Sequence, residues 1–178
     1  MKDIYKLKWT KLQLEIIRLL CIKKGEELSL RHISRLLEVS PTAVSKSIAK
    51  LEEENIIRKQ IKNKAFSVEI NDSKKAIQIK RIENIKIIYE SGFIDTLEDN
   101  YPGNTIILFG SYSFGEDNIR SDIDLAIIGK EKTIQLKYFE EILERRININ
   151  FYNSLADINK NLKESILNGI ILKGSVEL

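Results

Sequence analysis

Phe109-Gly110-Ser111-Tyr112-Ser113-Phe114-Gly115, followed by Ser121-Asp122-Ile123-Asp124-Leu125, is the stretch on which the reading of this chain turns. The apolar run Thr105-Ile106-Ile107-Leu108-Phe109 ends at a Gly-Ser pair, and a second run, Ile123 to Ile128, carries aspartates at its start. A strand alternates its faces, so Asp122 and Asp124 point one way while Ile123, Leu125 and Ile127 point the other. Two carboxylates side by side repel each other unless a divalent cation lies between them. Mg²⁺ suits that place, taking one or two carboxylates plus substrate phosphates. The Gly-Ser turn, if it opens a helix, offers backbone N–H groups and a hydroxyl to a phosphate. Together these parts describe a site for a metal–nucleoside triphosphate.

Gly110, Ser111, Gly115, Ser121, Asp122 and Asp124 stand at a spacing that turn chemistry alone does not produce, with Asp122 eleven positions after Ser111. The pattern closely resembles the DNA polymerase beta-like nucleotidyltransferase superfamily, in particular its minimal nucleotidyltransferase branch, over about residues 92–174. The resemblance implies a short mixed sheet with helices on one side. It implies nucleotide binding by Gly110, Ser111, Gly115 and Ser121, and catalysis and metal binding by Asp122 and Asp124, with Mg²⁺ as cofactor. The C-terminal segment fits the same pattern, with Ile158, Leu162, Ile166 and Leu167 at helical spacing and a strand-like end, Gly169 to Gly174.

Two positions depart from that pattern. The later strand, Arg146-Ile147-Asn148-Ile149-Asn150-Phe151-Tyr152, carries Asn148 and Asn150 where a third carboxylate is expected. A carboxamide offers an oxygen to a metal but carries no charge and is no base near neutral pH. Phe114 stands just before Gly115, where the resemblance implies an Arg or Lys that reaches the phosphates. Arg120, Lys130, Arg145 and Arg146 are the candidates to replace that cation.

The N-terminal part has a different pattern. Leu12, Leu14, Ile16, Ile17, Leu19 and Leu20 predict a first helix from about Thr10 to Lys23. Ser29 caps a second, Leu30 to Leu37, with Ile33, Leu36 and Leu37 inward. Ser40 caps a third that opens on Pro41 and buries Val44, Ile48 and Leu51. Ile56 to Ile61 and Ala65 to Ile70, joined by Lys62-Asn63-Lys64, read as a hairpin. The arrangement resembles the winged helix-turn-helix of MarR-like and ArsR-like transcription factors. That resemblance implies double-stranded DNA as partner, with Thr42, Ser45, Lys46 and Lys50 on the groove-facing side of the third helix and Lys62 and Lys64 on phosphate.

The fold expected is therefore α+β: a winged helix-turn-helix at 1–72, a connecting helix at 73–91 and a nucleotidyltransferase-fold domain at 92–178. Residues 1–90 hold 20 Lys/Arg against 12 Asp/Glu, a net charge of +8, and residues 91–178 hold 9 against 14, a net of −5. A basic half favours a polyanion; an acidic half that binds triphosphate needs metal ions or a basic partner. In the junction, Ile77, Ile79, Ile82, Ile85, Ile87 and Ile88 form a broad apolar stripe expected to be buried, with the same helix of a second subunit as the favoured partner. The single Cys21 excludes an intramolecular disulfide, and the single His32 has no metal-ligand cluster around it. No cleavable signal, lipidation motif or long apolar span is present, so a cytoplasmic protein away from membranes is expected. Three functions fit: an active Mg²⁺-dependent nucleotidyltransferase, a DNA-binding regulator with a degenerate nucleotide-sensing domain, and an antitoxin-like partner of a toxin.

Overall fold

The computed structural model of the chain describes residues 8–62 and 65–176. They fall into two compact units, the first ending at Ile77 and the second beginning at Gln78.

In the first unit, helix α1 (Lys11–Ile22) opens on a reciprocal cap. The Gln13 N–H donates to Thr10 Oγ1 (3.3 Å) and the Thr10 N–H donates to the Gln13 carboxamide (2.9 Å). Helices α2 (Leu30–Leu36) and α3 (Pro41–Glu53) start on serine caps: the His32 N–H donates to Ser29 Oγ and the Ala43 N–H to Ser40 Oγ, each at 3.2 Å. Ile16, Ile17, Leu20, Cys21, Ile33, Val44, Ile48 and Leu51 fill the core between them. Asn55, with φ +57°, turns the chain out of α3 into strand β1 (Ile57–Lys62), which pairs antiparallel with β2 (Ala65–Ile70). A bridge from Leu28 to Val68 ties the segment before α2 to the hairpin. Three helices and this hairpin make a winged helix-turn-helix. Leu36, expected inward, is 46% exposed, and Ser34 is buried instead. At about 100° per residue, the arc centred between Ile33 and Ser34 leaves Leu36 on the outside.

Helix α4 (Lys74–Glu90) corrects the expected apolar stripe. Its buried positions are Ala76, Lys80, Glu83, Asn84, Ile87 and Ile88, while Ile82 is 64% exposed and Ile77, Ile79 and Ile85 are half-buried. The isoleucines are spread around the whole helix circumference, and the inward arc is chosen by polar partners described below.

The second unit is built on a four-stranded mixed sheet in the order β5-β4-β3-β6, from strands β3 (Thr105–Phe109), β4 (Ile123–Ile128), β5 (Ile147–Tyr152) and β6 (Ile170–Lys173). Strand β3 runs antiparallel to β4 and β6, and β4 runs parallel to β5. Helix α8 (Lys160–Leu167) covers one face through Ile166, with Ile158 just before it, against Ile107, Phe109 and Ala126. Helices do not keep to one side, because Tyr101, at the end of α5 (Phe93–Asn100), meets the Phe151 ring at 5.5 Å on the opposite face. Ile123, Leu125 and Ile127 are fully buried on that opposite face. Among the described residues no helix is long and apolar enough to cross a membrane.

Candidate functional site

The site forms where β3 and β4 end side by side. Phe109 pairs with Asp124, and Gly110 follows with φ +73°. A Cβ on Gly110 would lie 2.8 Å from Asp124 Oδ2, so only glycine lets the turn pass the aspartate. Helix α6 (Gly110–Phe114) is five residues long and stops at Gly115, whose φ is +76°. The buried Ser113 hydroxyl donates to the Gly110 carbonyl (2.8 Å), closing this turn. A helix so short has little dipole; what it can offer a phosphate is first-turn N–H groups, which a helix does not use internally, and the Ser111 hydroxyl.

The loop from α6 to β4 is braced within itself. The Ser121 N–H donates to the Asn118 carbonyl (2.9 Å), the Asn118 N–H to Ser121 Oγ (3.0 Å) and the Arg120 N–H to Asn118 Oδ1 (2.9 Å). Ser121 thus holds the turn that delivers Asp122.

Asp122 and Asp124 come together at one amide. Asn148 Nδ2 donates to Asp122 Oδ2 (3.0 Å) and to Asp124 Oδ1 (3.2 Å). The parallel register sets Asn148 opposite Asp124, whereas Asn150 stands opposite Ala126, two residues further along the ladder. Asn148, not Asn150, is therefore the residue facing the pair. Its N–H groups neutralise carboxylate repulsion with partial charges only, and a half-turn of the amide would present Oδ1 instead. Among the described residues no group of three acidic, His or Cys side chains could hold a metal ion. The donor set fits one Mg²⁺ on Asp122 and Asp124, with phosphate and water oxygens completing its shell.

A cleft of about 640 Å³ opens beside Asp122. Arg120, Arg145 and Arg146 line it together with Lys137 from helix α7 (Lys137–Leu143). Glu140, Glu141 and Glu144 line it as well. Lys130, the remaining candidate cation, follows the far end of β4 and is not among these residues.

Sequence reasoning missed the support beneath the site. Asp117, in the loop after Gly115, is buried and accepts from Lys80 Nζ and from Asn84 Nδ2 (2.7 Å); its other oxygen lies 3.5 Å from the Arg145 guanidinium. Asn84 also donates to the Tyr112 carbonyl (2.9 Å), which fixes α6 from below. The signal was present as Lys80 and Asn84, polar at i and i+4 on one face of an isoleucine-rich helix.

In the N-terminal unit, Thr42, Ser45, Lys46 and Lys50 all lie on the exposed side of α3. Of Lys62 only the backbone, at the end of β1, is described, and Lys64 lies outside the described residues.

The chain carries a winged helix-turn-helix and, after it, a unit in which two aspartates meet beside a Gly-Ser turn. The polymerase beta nucleotidyltransferase family model matches residues 92–176, and that of the arsR family of bacterial regulatory proteins matches residues 10–59. A proposed protein adenylyltransferase of Methanocaldococcus jannaschii, MJ1215, is 42% identical over 55 residues, 30% of this chain; the match spans only 64% of that relative's length. Among solved structures, Lactococcus lactis ZitR in complex with DNA has a TM-score of 0.41 at 20% identity, covering 57% of this chain and 68% of that one. S. aureus MepR bound to ethidium bromide has a TM-score of 0.44 at 14% identity, covering 55% and 72%. Likenesses of this size carry nothing about ligand or partner.

Proposed function

We propose that this protein binds duplex DNA through its N-terminal unit and Mg²⁺–nucleoside triphosphate through its C-terminal unit, and that nucleotidyl transfer is strongly attenuated. The observation that carries the reading is the Asn148 amide donating to both Asp122 and Asp124. The pair keeps the convergence a cation needs, while the position facing it holds a group that cannot take a proton. Bound there, Mg²⁺ would supply charge neutralisation to the triphosphate. Gly110 lets the backbone approach the pair, and Ser111 with the first N–H groups of α6 orients phosphate oxygens. The missing base alone accounts for a loss of about 10²–10⁴-fold in transfer. Residual transfer is assigned to AMP, with a protein hydroxyl as acceptor, following the name of the archaeal relative. The arsR-type helices, the exposed Ser45 and Lys46 on α3 and the net charge of +8 over residues 1–90 support DNA as the other ligand. This reading sets the protein in the cytoplasm, where DNA and nucleotides meet.

Calorimetry with each NTP, with and without Mg²⁺, tests the binding, and incorporation from radiolabelled ATP tests the transfer. The expected result is Mg²⁺-dependent binding, little labelling by the wild type and more by Asn148→Asp. Robust wild-type labelling that disappears in Asp122→Ala would overturn the attenuation. Absence of any NTP or Mg²⁺ binding would overturn the nucleotide reading itself.

A further inference from the structure

Building on the nucleotide reading, we propose that Arg146, together with Arg120, is the phosphate clamp of this site. The two guanidinium groups hold the β- and γ-phosphates of a nucleoside triphosphate, Arg146 from the β5 side of the aspartate pair and Arg120 from the turn that precedes β4. They replace a cation that α6, with Phe114 at its end, does not supply.

Strand register places Arg146 beside the aspartate pair. Asp124 stands opposite Asn148 in the parallel ladder, and the Ile123 N–H donates to the Arg146 carbonyl (2.8 Å). Arg146 therefore flanks Asp122 as Asn148 flanks Asp124. Residues two apart share a face, so Arg146 projects on the side where Asn148 reaches both carboxylates. Arg146 is exposed, and among the described residues its guanidinium makes no ion pair. Arg120 reaches the same cleft from the other wall, on the turn braced by Asn118 and Ser121. Its side chain is likewise exposed and, among the described residues, in no ion pair.

The other candidate cations are placed elsewhere. Arg145 is buried beside Asp117 and donates to the Glu144 carbonyl (2.9 Å). Lys130 is six residues past Asp124, roughly 20 Å along an extended strand at about 3.3 Å per residue. A planar guanidinium with parallel donors suits phosphate oxygens better than a single ammonium. Glu140, Glu141 and Glu144 oppose this in the same cleft. The Glu140 carboxylate is partly occupied by the Ile147 N–H (3.0 Å). The rest make the clamp depend on a cation at the aspartates, so triphosphate without Mg²⁺ is rejected.

Calorimetry on the full chain tests this with two probes, ATP and inorganic tripolyphosphate, each with and without Mg²⁺. Arg146→Ala and Arg120→Ala should each weaken both probes by about tenfold to hundredfold, the worth of a charged hydrogen bond. Arg146→Lys should lose less, and Lys130→Ala should stay within about twofold of wild type. If the wild type binds both probes and the arginine variants bind them equally well, the clamp is wrong and the nucleotide reading stands. If only ATP weakens and tripolyphosphate does not, the arginines do not touch phosphate and the clamp is wrong. If the wild type binds neither probe, both readings fall. Far-UV circular dichroism confirms folding, and Arg146→Lys serves in place of Arg146→Ala if that variant unfolds.

Discussion

Replacing Asp117 by alanine should damage the C-terminal unit more than any substitution at the surface of the site. One carboxylate there faces two cations whose side chains are nearly inaccessible, Lys80 at 1% and Arg145 at 2%. Removing one partner of a buried ion pair costs about 3–5 kcal/mol, because a charge taken out of water loses the opposite charge that offset its desolvation. The Asn84 donor stranded by the same change adds about 1–3 kcal/mol. The sum, about 4–8 kcal/mol, rivals the whole stability of a small domain at about 5–15 kcal/mol. Lys80→Met should cost less, since Asp117 then keeps Arg145 and Asn84.

The sign of the double variant is the discriminating result. Lys80→Met with Asp117→Ala leaves one buried cation deprived of the Asp117 charge instead of two, so it should be more stable than Asp117→Ala alone. Urea unfolding separates the two units, because Trp9 is the only tryptophan and lies in the first. Far-UV circular dichroism should show the loss, while the Trp9 fluorescence transition should stay in place. A double variant no more stable than Asp117→Ala would refute the reasoning, and so would a shift confined to Trp9.

Three further outcomes are expected. The Lys8 ammonium, aided by Lys75 and the Trp9 indole N–H against the opposing effect of burial, holds the Glu54 carboxyl at about 2, below its ordinary 4.5. A carboxyl depressed on folding stabilises above its unfolded pKa and stops doing so as pH falls, so the N-terminal unit should weaken between about pH 4.5 and 2. Glu54→Gln should flatten that dependence in Trp9-monitored unfolding, and an unchanged profile counts against the Glu54 assignment. Gly110→Ala puts a methyl 2.8 Å from Asp124 Oδ2 at a φ of +73°. It should cost roughly 1–2 kcal/mol of backbone strain and abolish Mg²⁺–ATP binding, so wild-type calorimetry in this variant would contradict the geometry. Duplex DNA should bind less tightly as salt rises. Lys46→Ala and Lys50→Ala should each reduce the salt slope by about one phosphate, and Ser45→Ala should alter sequence preference; anisotropy showing no binding at low salt would remove the DNA reading.

Local chemistry made much of this molecule legible. Ser29 and Ser40 announce helix starts because their side-chain oxygens satisfy first-turn N–H groups wherever the rest of the chain goes. The same holds for Ala65 to Ile70, a strand from end to end. Alternation in β4 located the aspartates and the buried Ile123, Leu125 and Ile127. What could not be read depended on partners far away in sequence. Lys80 and Asn84 turn inward because Asp117 and the Tyr112 carbonyl, 37 and 28 residues distant, await them. Periodicity scores those side chains as solvent-facing and so rotated the predicted helix face. Choosing Asn148 over Asn150 likewise required the β4–β5 register, which a parallel pair sets through a crossover rather than through a turn.

Three features of the site have no packing return. Gly110 takes a φ of +73° to clear the Asp124 carboxylate, a conformation that strains any residue with a Cβ. Asp122 and Asp124 crowd two like charges onto one amide that offers them only dipoles. Arg146 stands exposed beside that pair, and Arg120 beside the same cleft, without closing an ion pair among the described residues. In a purely structural domain two of them would be improved by a small change: a neutral residue at 122 and an inward-turned arginine. With a triphosphate and one Mg²⁺ in place, all three are accounted for at once, since the cation meets the carboxylates, the arginines meet phosphate and the glycine leaves room for both. On the function proposed above, Asn148 in the facing position leaves the cradle without a base, so the domain would bind a nucleotide and transfer it only slowly.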